Sequence, residues 1–574
     1  MKINDINFMV GGIAGEGVEV PGEFFAKLCI QAGLYIHTNG EFHSVIKGYN
    51  NIFQVRAKEE RVYSHSNNFD LVLALDKETV DKYFEDVTQG GGIIYDPDMA
   101  KPAEKKGVKL FPVPLRLIAK EKVGLDLAKN IVGIGAVAGL LDYPMQPITD
   151  MLVKTFARKG LDVVNKNIDA AQAGYNYVRE NFSKEFDYVI RQKKDTPKTM
   201  MVNGNEAIGM GAIKAGCKFV SEYPMTPSSS ILHFMAKYAQ KYNMSVNHVE
   251  DEISAINMAI GAGYAGVRSM TATSGGGFSL MTEAIGLAGM TEVPVVIAEV
   301  QRPGPSTGLP TRSGQGDLRQ VLHASQGDYP KIVMSPGTHE EAFYMAFHAF
   351  NLAEKYQCPV IILSEKYLSE GRASFEFPKT DQLRIDRGKL LKESEIPANF
   401  KRFAQSPDGV CARTIPGQKG GAHTASSYEH REDGYFTEIV SEVVDMNNRR
   451  MQKMETISTK LPHAEVEGKA KADVTLVCWG ATYGPAHEAI ALLKEKGVTA
   501  NLLHIKYLMP FQPGVREALE HCKHPVLIEG NFSAQLGGLI AEKAGVEISD
   551  KVLDYSGRPF TPDVIAGGVI KLLK

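Results

Sequence analysis

The chain has 574 residues, enough for three or four domains, and its 44% hydrophobic and 23% charged residues are ordinary for a globular protein. Its formal net charge of −3 excludes the basic footprint of a nucleic-acid-binding protein. The first residues lack the apolar core of a signal peptide. The longest charge-free apolar run, 130–141, is too short for a membrane span, and its glycine spacing predicts a tightly packed helix.

Six cysteines are scattered along the chain without a Cys-x-x-Cys pair: Cys29, Cys217, Cys358, Cys411, Cys478 and Cys522. This spacing favours the reducing environment of the cytoplasm, where structural disulfides are rare. It also argues against a zinc site or an iron–sulfur cluster held by this chain alone. We therefore predict a cytoplasmic protein with no metal site of its own.

Residues 1–190 are predicted to form a first α/β domain. Its expected strands are 6–11, 71–75 and 92–95, with a helix at about 20–32. The turn between the first strand and this helix has the spacing G-x-x-G-x-G, which differs from the dinucleotide fingerprint G-x-G-x-x-G. Gly12, Gly15 and Gly17 therefore either bind a ligand or serve only the geometry of the turn.

A charged, Pro-containing stretch, 191–199, is expected to be a linker to a second domain at 200–375. The second domain is predicted to open with a strand at 200–203 and a helix from Gly204 to about residue 215. Its further strands are expected at 218–221, 269–273, 295–300 and 359–364. The stretches between these strands are long enough for crossover helices, which predicts a largely parallel sheet.

Residues 376–465 lose this alternation of strands and helices. The stretch 406–427 is rich in Gly, Pro, Ser and Thr, and a charged helix is expected near 437–454. We interpret this segment as an excursion that packs on a partner or on a neighbouring domain. The alternation returns in a third α/β domain, 466–574, whose predicted strands are 474–479, 500–505 and 526–529.

Four turn-rich segments, each after an apolar run, lie within residues 222–317. They read EYPMTPSSS at 222–230, VEDEISA at 249–255, TSGGGFSLM at 273–281 and QRPGPSTGLPTR at 301–312. Loops at the ends of parallel strands are the usual location of an α/β active site. The sequence therefore predicts the functional site in this region.

The acidic run Glu250, Asp251 and Glu252 precedes a helix rich in small residues. Acids at a helix N-terminus interact favourably with the helix dipole, by a few tenths to about 1 kcal/mol, and need no further role. Alternatively, one of the three carboxylates forms a charge-assisted hydrogen bond with a basic nitrogen heterocycle.

The other three loops also have two interpretations each. Prolines on both sides of Thr226 indicate a rigid turn, followed by a helix capped from the serines at 228–230, or a ligand contact. The glycines at 275–277 form either a flexible turn or a place where a ligand approaches the backbone. Arg302 is either an ordinary surface arginine or a fork for a carboxylate.

These motifs together resemble the alpha subunits of the 2-oxoacid:ferredoxin oxidoreductases, most nearly those of the 2-oxoglutarate type. The matching stretches are YPMTPSSS, EDEISA, TATSGGGFSLMTEA and QRPGPSTGLPT with QGDL. The N-terminal GGIAGEGV and FDLVLALD resemble the gamma component of that family, fused ahead of alpha. DVTLVCWGATYGPAHEAI and EGNFSAQLGGLI resemble its transketolase C-terminal-like domain.

The resemblance covers essentially the whole chain and implies three α/β domains with largely parallel sheets. These are a gamma-type domain, a thiamine-diphosphate pyrimidine-binding domain and the transketolase C-terminal-like domain. By motif position, Glu252 is the catalytic glutamate that contacts the pyrimidine ring nitrogen of thiamine diphosphate and stabilises the tautomer that acts as internal base. The implied cofactor-binding residues are Glu252, Tyr223, Pro224, Ser274, Gly275 and Gly276, and the implied oxoacid-binding residues are Thr226, Arg302 and Thr311.

The implied reaction converts 2-oxoglutarate and coenzyme A to succinyl-CoA and CO₂, with electrons passing to ferredoxin. The sequence lacks the family's Gly-Asp-Gly motif with a following Asn, since Gly316 and Asp317 follow Gln315 in another context. Mg²⁺, the diphosphate site and the [4Fe–4S] cluster are therefore expected on a separate beta subunit, in an αβ or (αβ)₂ assembly. This chain departs from many relatives in having Gly276 in place of a proline.

Two alternatives remain at this point. The same machinery acts on pyruvate, branched-chain or aryl 2-oxoacids in other members of the family. A non-catalytic scaffold or nucleotide-binding subunit built from the same α/β domains is a hypothesis of another class, and the presence of Glu252 speaks against it.

Overall fold

A computed structural model of the chain describes residues 1–42, 49–194 and 196–574. It is a mixed α/β structure with mostly parallel sheets, as the sequence predicts. The chain divides into two compact units, Met1–Val202 with Gly371–Phe377, and Asn203–Glu370 with Pro378–Lys574. The strands and helices of both units are numbered together in chain order.

The first unit is built on an eight-stranded sheet with the order β7-β6-β5-β2-β4-β3-β16-β9. Its strands are β2 Ile6–Ile13, β3 Tyr35–Glu41, β4 Asn50–Lys58, β5 Phe69–Ala74, β6 Val87–Tyr95, β7 Lys109–Pro112, β9 Thr199–Asn203 and β16 Arg372–Glu376. A separate parallel pair joins β1 Lys2–Ile3 to β8 Tyr188–Val189. The three strands predicted from sequence, β2, β5 and β6, are neighbours in the parallel half of the sheet.

Two features of this sheet differ from the sequence prediction. The antiparallel strands β3 and β4 were not expected, because their polar residues hide the apolar alternation. The segment at 200–203, expected to open the second domain, lies instead in β9 at the edge of the first unit's sheet. In the same sheet β16, from far along the chain, lies between β3 and β9.

Helices cover this sheet: α1 Glu19–Gln31, α2 Lys77–Tyr83, α3 Leu115–Val123, α4 Lys129–Leu140, α5 Gln146–Phe156 and α6 Leu161–Phe182. The predicted packed helix is α4, every residue of which is buried. A Cβ at Gly135 would lie 1.9 Å from the Ala171 carbonyl of α6, so only glycine permits this helix–helix distance.

The second unit contains a seven-stranded sheet with the order β11-β10-β12-β13-β15-β14-β20. Its strands are β10 Phe219–Glu222, β11 Ser245–His248, β12 Ser269–Thr273, β13 Val295–Gln301, β14 Ile332–Met334, β15 Pro359–Glu365 and β20 Tyr507–Met509. Only β20 is antiparallel to its neighbour among the described pairs. All seven residues of β13 are buried, as expected of a parallel strand covered on both faces.

A five-stranded sheet completes this unit, with the order β17-β19-β18-β21-β22. Its strands are β17 Val466–Glu467, β18 Val474–Trp479, β19 Ala500–Ile505, β21 Pro525–Glu529 and β22 Asp550–Leu553. One hydrophobic core joins the two sheets, since it includes Ile297 and Ile361 from the larger sheet and Trp479 and Leu527 from the smaller one.

The helices of the second unit fill the connections between its strands. They are α7 Gly204–Lys214, α8 Ser229–Tyr242, α9 Glu252–Tyr264, α10 Gly275–Met290, α11 Leu318–Leu322, α12 His339–Tyr356, α13 Lys366–Glu370, α14 Val440–Ser458, α15 Tyr483–Glu495, α16 Val515–Glu520, α17 Gln535–Ala544 and α18 Pro562–Leu572. The helices between β10 and β12, between β12 and β13 and between β13 and β15 confirm the predicted crossovers. The charged helix expected near 437–454 is α14.

The irregular excursion is attached to the second unit by buried ion pairs. Arg449 and Lys453 of α14 both contact the carboxylate of Glu292, and all three side chains are fully buried. Arg413 donates to Glu354 over 2.9 Å. The excursion therefore packs on its own chain.

No single helix within the described ranges is long and apolar enough to cross a membrane. One bent pair, Leu115–Val123 with Asp126–Leu140, meets the length and composition test together, with a bend of 117°. The second helix of the pair belongs to the buried core of the first unit.

Candidate functional site

Four of the parallel strands, β10, β12, β13 and β15, are neighbours, so the loops at their carboxyl ends meet at one edge of the sheet. The loop after β10 carries the YPMTP sequence, and the loop after β12 leads into the glycines of α10. The loop after β13 begins with Arg302 and extends to α11. The segments that the sequence singled out therefore lie together.

Glu252 is the first residue of α9. Asp251 caps this helix, because its side chain accepts a hydrogen bond from the Ser254 N–H over 2.7 Å. The Glu252 side chain turns inward and is 3% exposed. Its Oε1 has no hydrogen-bond partner among the described residues. A buried carboxylate oxygen without a donor is costly, and this position is suited to a donor on a bound ligand.

The glycine run forms the first turn of α10, so of the two interpretations of 275–277 the flexible turn is wrong. A Cβ at Gly277 would lie 2.5 Å from Glu252 Oε1, and glycine therefore lets the backbone approach the carboxylate. Ser274, at the N-cap of α10, is buried, and its hydroxyl has no partner within the described part of the chain. A Cβ at Gly276 would meet only Met225 at 3.7 Å, an ordinary contact distance.

The YPMTP loop contacts two of the other segments. The Gly277 N–H donates to Met225 Sδ over 3.3 Å, and Arg302 Nη1 donates to the Thr226 carbonyl over 2.7 Å. The predicted cap of the next helix is wrong at Ser228, because the Ser228 hydroxyl donates to the Met225 carbonyl and makes no cap bond. Tyr223 and Pro224 precede these residues on the loop, and Tyr223 is partly exposed.

These loops enclose a cavity of about 840 Å³ in the second unit. Its lining includes three of the predicted residues, Gly275, Gly276 and Arg302, and Arg302 is the one cationic side chain among the described lining residues. Thr311 lies farther along the same loop and is half-buried. The described contacts do not bring its side chain to Arg302 or Glu252.

Three acidic side chains that the sequence interpretation passed over lie near the ends of these strands or in the loops after them, and one of them, Asp317, lines the cavity. Burial raises the pKa of Glu222, at the end of β10, well above its ordinary value. Burial, and then the neighbouring Asp317, raise the pKa of Glu299 well above its ordinary value. Burial also raises the pKa of Asp317 to about 6, while a hydrogen bond with Glu299 and the charge of Arg302 act in the opposite direction.

Gln315 joins the cavity wall to the five-stranded sheet. Its side-chain N–H groups donate to Glu365 Oε1 over 2.9 Å and to the Trp479 carbonyl over 3.0 Å. Its side-chain oxygen accepts from the Gly530 N–H over 2.8 Å. Burial raises the pKa of Glu365 to about 7. The loop after β13 is therefore fixed at its far end.

The sequence contains a signal for one of these overlooked residues and none for another. Glu299 interrupts the apolar run VVIAEVQ, and an acid inside a buried strand needs a function or a partner. Gln315 has no comparable signal, because its partners come from three distant strands.

The residues present fit the aminopyrimidine of thiamine diphosphate. A heterocyclic nitrogen needs a buried acceptor that is not already paired, and Glu252 Oε1 meets this requirement. No group of three or more metal-ligating side chains occurs within residues 1–42, 49–194 and 196–574. A diphosphate with its metal ion therefore finds only Arg302 as a countercharge in the described cavity lining.

Three protein-family models match the chain in succession. Residues 7–177 match "Pyruvate ferredoxin/flavodoxin oxidoreductase", and residues 472–563 match "Pyruvate:ferredoxin oxidoreductase core domain II". Residues 210–449, which contain the candidate site, match the pyruvate flavodoxin/ferredoxin oxidoreductase domain described as thiamine diphosphate-binding.

Relatives of similar length are named as subunits of 2-oxoacid or 2-oxoglutarate oxidoreductases. "2-oxoacid:ferredoxin oxidoreductase 2, subunit alpha" of Aeropyrum pernix is 33% identical over 99% of this chain and 98% of its own. "2-oxoglutarate oxidoreductase subunit KorA" of Mycobacterium tuberculosis is 27% identical over 98% of this chain and 91% of its own.

A solved structure agrees with these relatives. The 2-oxoglutarate:ferredoxin oxidoreductase from Magnetococcus marinus, with 2-oxoglutarate, coenzyme A and succinyl-CoA bound, is 32% identical and superposes with a TM-score of 0.93 over 100% of both chains. The fold, the thiamine-binding domain and the full-length similarity agree with one another. The chain belongs to the alpha subunits of the 2-oxoacid:ferredoxin oxidoreductase family.

Proposed function

We propose that this chain is the gamma–alpha fused subunit of a 2-oxoglutarate:ferredoxin oxidoreductase of the cytoplasm. The assembled enzyme converts 2-oxoglutarate, coenzyme A and oxidised ferredoxin reversibly to succinyl-CoA, CO₂ and reduced ferredoxin. The observation that carries the proposal is the buried Glu252 carboxylate with its unpaired Oε1 beside a glycine backbone. Bound thiamine diphosphate supplies the carbon nucleophile and the electron sink for decarboxylation.

The three family-model matches support a division of labour along the chain. We assign residues 1–190 to a gamma-type domain and 191–199 to a linker. Residues 200–375 are assigned to the pyrimidine-binding domain, 376–465 to the excursion, and 466–574 to the transketolase C-terminal-like domain. The six cysteines, all free in the described structure, suit a reducing compartment.

Glu252 has one task in this site. Its Oε1 holds the proton of a ring nitrogen in a charge-assisted hydrogen bond, and burial strengthens that bond by excluding water. The Asp251 cap fixes the first turn of α9, so the carboxylate does not need to be ordered when the cofactor binds. Tyr223, Pro224, Ser274, Gly275 and Gly276 are assigned to the surface that holds the cofactor.

Arg302, Thr226 and Thr311 are assigned to the oxoacid. The bond from Arg302 Nη1 to the Thr226 carbonyl leaves the other guanidinium N–H groups available to a carboxylate. The choice of 2-oxoglutarate over other oxoacids rests on the names of the KorA relatives and of the Magnetococcus marinus enzyme.

A beta subunit is proposed to supply the diphosphate site, Mg²⁺ and the [4Fe–4S] cluster. An exposed apolar surface next to Glu252 supports this proposal.

 
Ile253 of α9 is 50% exposed and Leu280 of α10 is 52% exposed, and Met258 is exposed on the same helix as Ile253. Exposed apolar side chains next to a polar site that lacks diphosphate-binding and metal-binding groups are typical of a surface that a partner covers. Ferredoxin and coenzyme A complete the proposed set of partners.

The role of Glu252 is tested by Glu252→Gln in the enzyme assembled with its beta subunit. The variant keeps the size of the side chain but removes the charge that binds the ring nitrogen. We expect turnover to fall by at least about 100-fold, in the range of a lost acid–base function. We also expect a smaller rise in melting temperature when thiamine diphosphate is added.

The matched control is Glu250→Gln, which changes an exposed carboxylate two residues earlier. It should leave both turnover and the cofactor-induced stabilisation near those of the wild type. Unchanged turnover in Glu252→Gln would remove the cofactor argument and favour the non-catalytic scaffold.

The substrate is tested by comparing kcat/KM for 2-oxoglutarate, pyruvate, branched-chain and aryl 2-oxoacids, and a clear preference for pyruvate would contradict our choice.

A further inference from the structure

Two carboxyl groups, those of Glu299 and Asp317, lie next to each other, and Asp317 lines the cavity. Glu299, on β13, is 0% exposed, and neither of its carboxyl oxygens has a hydrogen-bond donor in the part of the chain that the structure describes. The same is true of Asp317 Oδ2. The two carboxyl groups interact directly with each other. Two carboxyl groups form a hydrogen bond only when one of them carries a proton.

Asp317 is held so that it faces the cavity. Its N–H donates to Gln301 Oε1 over 3.1 Å, which fixes the residue ahead of α11. Its Oδ2 lies against the first turn of α10, since a Cβ at Gly275 would come within 2.5 Å of it. Asp317, Gly275 and Arg302 all line the cavity. An anion bound at Arg302 therefore lies close to the Asp317 carboxyl group.

Among the residues that the structure describes, few other charges surround the pair. Arg302 follows β13 and lowers the pKa of Asp317 by its charge. On the β12 side, Thr273 pairs with Glu299, and Glu252 approaches Thr273 around Gly277. On the β15 side, Glu365 pairs with Gln301 and is bound by Gln315. Arg302 is therefore the positive charge that balances the pair.

We propose that Asp317 and Glu299 take up a proton when a 2-oxoacid binds at Arg302, and that this pair thereby sets the affinity of the cavity for anions. The inference rests on the proposed function only for the choice of 2-oxoacids as the anions. With one shared proton, the charges of Arg302 and the pair cancel. A second proton leaves the charge of Arg302 free for the incoming carboxylate.

The direction of the pH dependence follows from the raised pKa of Asp317, about 6. Below this pH the pair is fully protonated, and anion affinity is at its maximum. Above it, binding must be accompanied by proton uptake, and the dissociation constant rises by about tenfold per pH unit until the pKa of the bound state is reached. Asp317 is therefore the residue that sets the anion affinity, and Glu299 is a positioning residue that donates to it.

The test uses the full chain assembled with its beta subunit and thiamine diphosphate. The probe is glutarate, a dicarboxylate that lacks the oxo group and cannot react. Isothermal titration at pH 7 in two buffers of different ionisation enthalpy measures the protons taken up. We expect uptake approaching one proton per glutarate in the wild type and none in Asp317→Asn. In this variant the dissociation constant should stay within about twofold between pH 6 and pH 8.

A second variant separates titration from misfolding. Glu299→Gln retains a hydrogen-bond donor beside Asp317, so the wild-type proton uptake should persist. Absence of uptake in the wild type, or equal uptake in Asp317→Asn, would overturn the proposal. If the assembled enzyme prefers pyruvate, propionate replaces glutarate as the unreactive probe. A failed choice of 2-oxoglutarate is then distinguished from a failed proton linkage.

Discussion

Glu292 shows what one residue does for the attachment of the excursion. It follows α10 with a positive φ of 52°, and its carboxylate is fully buried between Arg449 and Lys453. Arg402 adds a hydrogen bond to its backbone carbonyl over 3.0 Å. Burial alone would raise the pKa of Glu292, but Lys453 and Arg449 hold this pKa well below its ordinary value.

Glu292→Gln removes the negative charge and leaves two buried cations without their partner. We expect the free energy of unfolding to fall by about 3–5 kcal/mol, the usual penalty for breaking a buried ion pair from one side. Chemical denaturation of the full chain measures this change. The exposed Glu283→Gln on α10 is the control, with an expected change within about 0.5 kcal/mol. An equal effect in both variants would contradict this account of the ion pair.

The pH dependence of this contribution has a definite sign. The folded-state pKa of Glu292 is depressed below the ordinary value of 4.5. The stabilisation is therefore complete above about pH 4.5 and is lost as the pH falls through the folded-state pKa. The difference in the free energy of unfolding between the wild type and Glu292→Gln should accordingly shrink in acid.

At the scale of elements, the loop between β13 and α11 is fixed by Gln315. Gln315→Ala removes donors from Glu365 and the Trp479 carbonyl and an acceptor from the Gly530 N–H. We expect a loss of about 1–3 kcal/mol in the free energy of unfolding, because buried polar groups are left unpaired. The KM for the oxoacid should also rise, since Ser313, Gly316 and Asp317 of this loop line the cavity.

Measurement at two pH values sharpens this prediction. Burial raises the pKa of Glu365 to about 7, so the fold prefers the neutral acid and loses stability as the pH rises from about 4.5 to 7. Gln315 opposes this rise in the pKa, because its hydrogen bond stabilises the charged form of Glu365. The deficit of Gln315→Ala should therefore be larger at pH 8 than at pH 6. Gln240→Ala, on the exposed face of α8, provides the control and should show no such difference.

Local sequence was sufficient for some elements and insufficient for others. The runs at 269–273, 474–479 and 500–505 are strands with those same bounds, and every residue in them is buried, as in parallel strands covered on both faces. The YIHTNGE sequence of β3 was missed, since its strand character depends on pairing with β4 and β16. The helix start at Glu252 was predictable, because Asp251 caps it locally.

In the candidate site, too, the local sequence predicts some features and not others. The glycines of α10 and the YPMTP loop can be recognised in the sequence by their composition. The loop after β13 can be recognised by its prolines. The contact between Glu299 and Asp317 required two elements to be folded together, so no local pattern predicts it. The attachment of Arg449 to Glu292, 157 residues away, is a tertiary contact of the same kind.

At the scale of the whole molecule, the first unit depends on a strand supplied from residues 371–377. The β16 strand lies between β3 and β9, and its Ser374 hydroxyl accepts from the Ile36 N–H over 2.8 Å. Phe375 is buried. Residues 1–202 alone would leave β3 unpaired on one side and β9 detached, and an unpaired strand edge promotes association.

We therefore expect a fragment of residues 1–202 to self-associate and to melt at a lower temperature than the same fragment with residues 371–377 joined through a flexible linker. Light scattering and circular dichroism measure the two effects. A linked segment carrying Phe375→Asp is the control, because it should fail to insert. Identical behaviour of all three fragments would show that β16 is dispensable to this sheet.

The position of β16 also has a consequence for biosynthesis. The ribosome completes residue 202 roughly 170 residues before it delivers residues 371–377. At typical elongation rates this interval lasts about 10 to 30 seconds. Meanwhile β10, β12, β13 and β15 emerge and begin to assemble the larger sheet. The N-terminal unit is thus the first to be started, but it cannot be completed until residue 377 is made, and its open edge stays exposed during that interval.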